Sequence, residues 1–106
     1  MAKYLIEGRY NAAGAKGLAH DGGTGRRAAI SKMIEGMGGK LESLYFAFGD
    51  IDLYAVVDLP DSASAAAMSL AVNQGGAATA KIVVLITPEE MDKAGKVSVK
   101  YKPPGH

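Results

Sequence analysis

Four groups of side chains in this sequence have types and spacings suited to chemistry. The first is a pair of aspartates, Asp50 and Asp52, in the stretch Gly49-Asp50-Ile51-Asp52. Residues two apart on an extended chain point the same way, so two carboxylates there suit a cation or an acid/base pair. The competing account is turn chemistry, in which Asp accepts from nearby backbone N–H groups. Asp52 is the more telling of the two, because it enters an apolar stretch where a charge needs a partner. The second is His20, the one histidine outside the C-terminal tail. It is the residue type for a general base. No Ser, Cys or second His accompanies it at a motif spacing, and the alternative is a surface position. His20 and Asp52 are the catalytic candidates; no metal ligand set and no cofactor is expected.

The third group is Arg26 and Arg27, in Gly23-Thr24-Gly25-Arg26-Arg27-Ala28. The glycine spacing imitates a dinucleotide fingerprint, but no buried strand precedes it, so that reading fails. A glycine-rich helix start with two arginines still suits an anion. Alternatively Thr24 caps the helix and the arginines are solvated or pair across an interface. The fourth group is Tyr4, Tyr10, Tyr45 and Tyr54, all on expected strands. On a sheet face turned away from helices they would line a pocket, apolar in body and polar at the tip, with Arg9 adding charge. Ordinary packing is the alternative for each. Met33, Met37 and Met68 read as helix core.

The elements that must position these groups follow from periodicity. Tyr4–Tyr10 reads as a strand, with Tyr4, Ile6, Gly8 and Tyr10 on one face and Lys3, Leu5, Glu7 and Arg9 on the other. Residues 11–20 read as a short Ala/Gly-rich helix, and 21–25 as a break. Arg26–Met37 has helical spacing in Ala29, Ile30, Met33, Ile34 and Met37, and Gly38-Gly39 ends it. Strands are expected over Lys40–Phe48 and Leu53–Leu59, joined as a hairpin. Asp61 is the expected cap of an Ala-rich helix over Ser62–Asn73. Ala78–Thr87 reads as a fourth strand. Thr87-Pro88-Glu89-Glu90 then carries a helix-start signature, for a short helix to about Ala94. Val97, Val99 and Tyr101 alternate with polar residues, like a last strand, and Pro103–His106 is a tail. One domain is expected over 1–95, with an extended tail over 96–106.

This order, βαββαβ, points to an α+β, ferredoxin-like antiparallel sheet with both main helices on one face. Strand four is nevertheless apolar on both faces, with Ile82, Val84 and Ile86 against Val83 and Leu85. Such a sheet predicts a homo-oligomer, dimer or higher, packed through its open face, unless loops and tail cover that face. Composition narrows the function classes. The 106 residues include 14 Gly, no Cys and no Trp, with 12 Lys+Arg against 11 Asp+Glu. That balance argues against a nucleic-acid binder. No apolar run approaches a membrane span, and no export signal is read near Met1, so a cytoplasmic protein is expected.

Several stretches resemble the GYD domain family of small stand-alone bacterial proteins. They are Asp21-Gly22-Gly23-Thr24-Gly25-Arg26-Arg27, Gly38-Gly39-Lys40-Leu41, Tyr45 through Asp52, Leu59-Pro60-Asp61, Thr87 through Asp92, and Tyr101-Lys102-Pro103-Pro104-Gly105. The sequence departs from the family at Ile51, where a tyrosine is usual, so any role of that phenol is absent. The resemblance implies a fold similar to dimeric α/β-barrel proteins and supplies no activity. Three readings follow: an oligomer binding a small organic ligand, a cofactor-independent isomerase or monooxygenase-like enzyme, and a purely structural oligomer.

Overall fold

A computed structural model describes residues 1–106. Four strands, β1 (Ala2–Tyr10), β2 (Lys40–Phe46), β3 (Leu53–Leu59) and β4 (Ala78–Leu85), form one antiparallel sheet in the order β2-β3-β1-β4. Three helices complete the chain: α1 (Ala12–Gly36), α2 (Ser62–Gln74) and α3 (Pro88–Gly95). The expected α+β class and element order are those of the structure. No helix is long and apolar enough to cross a membrane.

The period-2 pattern of the strands sorts their residues. Tyr4 and Ile6 of β1 sit opposite Val57 and Ala55 of β3. With Leu53 and Leu59 they form the buried face, packed against Ile30 and Ile34 of α1 and Ala65 and Met68 of α2. Both long helices therefore cover the same face. Only 11 of 106 residues are buried, so the core is thin, as expected where α2 supplies mostly alanine. Val57, Leu59 and Ile34 are its fully buried centre.

Local signals set the helix ends. The Asp61 carboxylate accepts from the Ser64 backbone N–H at 2.8 Å, capping α2. Thr87 and Glu90 exchange both bonds of a capping box, with Pro88 at the first helical position. At the end of α1, Gly38 has φ of 80°, and a Cβ on Gly39 would lie 2.2 Å from the Asp58 carbonyl. Only glycine fits there, which is why Gly38-Gly39 separates α1 from β2.

Several expectations are corrected. The break expected at residues 21–25 narrows to Gly22 alone, with φ 76° and ψ 162°; residues on both sides are helical. The helix begins at Ala12, capped by Asn11, so Thr24 is not a cap. β2 stops at Phe46 because the chain turns there: the Ala47 N–H donates to the Asp52 carbonyl and the Asp52 N–H to the Gly8 carbonyl. β4 stops at Leu85 because Thr87 already belongs to the next cap. Val97–Tyr101 forms no strand: the segment is exposed and pairs with no strand of the sheet, and alternation alone supplies no partner.

Candidate functional site: a cleft between the helices

The sheet divides the expected tyrosine cluster. Tyr4 and Tyr10 lie on the helix-covered face, where Tyr4 is only 2% exposed and shares a hydrogen bond of 3.3 Å with Ser62. Tyr45 and Tyr54 are cross-strand partners on the open face, 72% and 38% exposed. A single pocket cannot hold all four, because side-chain direction alternates along a strand. Arg9 shares the open face and pairs with Asp50 at 2.7 Å, where both side chains are exposed.

The aspartates do not converge either. Asp50 is taken up by Arg9. The Asp52 carboxylate instead accepts from the Tyr10 backbone N–H at 2.9 Å. Asp52 thus closes the end of β1, where the strand passes into α1, and turn chemistry accounts for it. His20 lies on α1, its side chain 89% exposed, and its Nδ1 is 3.2 Å from Asp21. The three acid/base candidates therefore stand on separate surfaces.

Arg26 and Arg27 also part, because successive residues on a helix point about 100° apart. Arg27 is exposed, over a hollow bordered by Glu42 and Tyr45. Arg26 points inward. The apolar stripe of α1 runs Ile30, Met33, Ile34 and Met37, and Arg26 stands one turn before Ile30 on the same stripe. It thereby borders a cleft between α1 and α2, floored by β1, β3 and β4. The cleft has a volume of about 50 Å³ and is lined by Ile6, Ile30, Met33, Leu53, Met68 and Val72, among others. Arg26 is the one charged residue on its wall. Its Nε is buried without a hydrogen-bond partner, the only such buried side-chain atom in the protein.

Three local features build this wall. Gly22 redirects α1 so that Arg26 faces the sheet. Gly14 lets α1 start close to the turn before β4, where a Cβ would meet the Ala77 carbonyl at 2.1 Å and the Tyr10 ring at 2.8 Å. Asn73, near the end of α2, accepts from the Ala80 N–H at 3.0 Å and so fastens the wall strand β4. Sequence reasoning found Arg26 but not its cleft. The available signal was a charge on a helix stripe that is otherwise apolar.

A family model described as GYD domain matches residues 4–94. The chain belongs to the GYD domain family. That match spans β2, β3, β4, α1 and α2, and most of β1 and α3. No curated protein and no solved structure matches the chain. Within this GYD domain the cleft lies between the two long helices, and the opposite sheet face is left uncovered by them.

Proposed function

We propose that this GYD domain is a self-associating binding protein, in which a second copy packs on the open sheet face and a small organic molecule occupies the cleft. The arrangement is ferredoxin-like, and the pairing is of the dimeric α/β-barrel type. The observation that carries the assembly is surface area. The chain exposes 7346 Å², whereas a compact monomer of its mass exposes about 5,600 Å². The excess is larger than the roughly 800 Å² each partner of a standard interface buries. Its source is visible. Most of the excess lies in α3 and the tail, where Met91, Val97, Val99 and Tyr101 are exposed, and Tyr45, Tyr54 and Val83 add to it on the open face, among the charges of Lys3, Glu7, Arg9, Asp58 and Lys81.

Association through the face is favoured over pairing at a sheet edge. One edge strand, β4, has its Ala80 amide bonded to Asn73, and the other, β2, carries a bulge between Leu41 and Ser43. Both devices discourage strand addition. With no cysteine and no membrane-spanning helix, the reading is of a cytoplasmic protein. Light scattering at micromolar concentration tests the assembly: a dimer or larger species is expected, and Leu5→Lys with Val56→Lys shifts it toward monomer. A wild-type monomer under those conditions overturns the assembly.

A further inference from the structure

The cleft has a specific chemical asymmetry. Its lining is apolar apart from Arg26 and Thr79, and Arg26 is the only charged member. The Arg26 guanidinium has no carboxylate within 4.0 Å, and its Nε, already out of contact with solvent, donates to nothing. A desolvated donor on a permanent cation without an acceptor is costly, and native structures rarely keep one without a use. Next to the cleft lies a second cavity of about 140 Å³, bordered by Ala13, Gly14, Gly17 and Leu18. Arg26, Tyr10 and Ala78 line both spaces and form the partition between them. The Tyr10 ring is fixed against Gly14, and its backbone is held by Asp52.

We infer that Arg26 forms the carboxylate-binding end of a site whose apolar end is the cleft, and that its ligand is a small monocarboxylate with a branched aliphatic body. This rests on the ligand half of the function proposed above. The chemistry follows from the two ends. A guanidinium takes a carboxylate through paired N–H donors. A cleft of about 50 Å³ holds only about four heavy atoms, at 10–15 Å³ for each water-sized occupant. Ile30, Met33, Met68 and Val72 match a branched aliphatic body in size and polarity. Arg27 is not part of the site, because it leaves α1 on another face.

Three probes separate the two ends by NMR titration of the intact protein, read at the Ile6, Ile30 and Met33 methyl groups. Isovalerate carries both body and carboxylate, isoamyl alcohol carries the body alone, and acetate carries the carboxylate alone. Isovalerate is expected to shift these methyls with saturation at least tenfold tighter than either fragment. Arg26→Met, which keeps the apolar stem, is expected to weaken isovalerate at least tenfold while leaving isoamyl alcohol unchanged. Arg27→Met leaves isovalerate binding intact and controls for net charge. Equal binding of isovalerate and the alcohol, or indifference to Arg26→Met, overturns the carboxylate assignment while the ligand reading survives. No methyl shift with any probe overturns both. Light scattering on the same samples reports the assembly separately.

Discussion

Asp61 shows how one side chain couples local geometry to pH. The Ser64 backbone N–H and then the Ser64 hydroxyl donate to its carboxylate, holding its pKa below the ordinary 3.8. The folded state therefore binds the proton less readily than the unfolded chain. The cap's contribution is complete above about pH 4 and is lost as pH falls through the depressed folded value. Asp61→Asn, which still caps, is expected to remove that part of the acid-range decline in stability, as read by thermal melts from pH 2 to 6. Lys3 has the opposite sign. Glu42 and then Asp58 accept its hydrogen bonds on the open face and raise its pKa above 10.5. Its contribution is full below pH 10.5 and is lost as pH rises through the raised folded value. Gly39 is a steric case. Gly39→Ala sets a methyl against the Asp58 carbonyl and is expected to cost about 1–3 kcal/mol in denaturant melts. These residue roles differ in legibility. The Asp61 cap is local, three residues from its donor, and was readable. The partner of Asp52 is Tyr10, 42 positions away, so its turn role was nameable but its contact was not.

At the scale of elements, α1 has the most to explain. Its periodicity defines two helical segments, but only packing shows that they meet at one residue. Gly22, at φ 76° and ψ 162°, occupies a region nearly reserved for glycine. Gly22→Ala is expected to lower stability by about 1–3 kcal/mol and to disturb the Arg26 cleft, read as shifts of the Ile30 and Met33 methyls. Ile34 lies on the far arm and is fully buried. Ile34→Ala is expected to cost about 2–5 kcal/mol, a large share of what so thin a core supplies. By contrast α3 buries none of its residues. Thr87→Ala is therefore expected to fray α3 in amide exchange while leaving the melting of the sheet unchanged. The strands were legible because alternation is a local rule. The assignment of Val97–Tyr101 failed because alternation does not supply a strand to pair with.

For the whole molecule, shape carries the argument. The radius of gyration is 16.8 Å, against about 13 Å for a compact chain of this length. The excess lies in α3 and the tail, where Met91, Val97, Val99 and Tyr101 are exposed apolar side chains. In the proposed assembly this arm would rest on the second copy. Removal of residues 96–106 is expected to weaken the dimer at least tenfold in a dilution series by light scattering, with the monomer fold kept in circular dichroism. An unchanged dimer would place the interface wholly on the sheet. The tyrosines make the same point about scale. All four stood on correctly read strands, yet the sheet parts Tyr4 and Tyr10 from Tyr45 and Tyr54, so the pocket imagined from them does not exist as one space.

The sequence by itself determined the order of elements, the caps at Asp61 and Thr87, the two-faced apolar character of the second half of β4 and the resemblance to the GYD family. Each of these depends on neighbours within about four positions, or on motifs read in order along the chain. Tertiary structure alone decided which face the helices cover, that Asp50 and Asp52 serve different partners, and that Arg26 borders a cleft with its Nε unpartnered. Those outcomes depend on the angle at Gly22 and on contacts between segments far apart in the chain. A guanidinium without an acceptor becomes visible only once its surroundings are assembled.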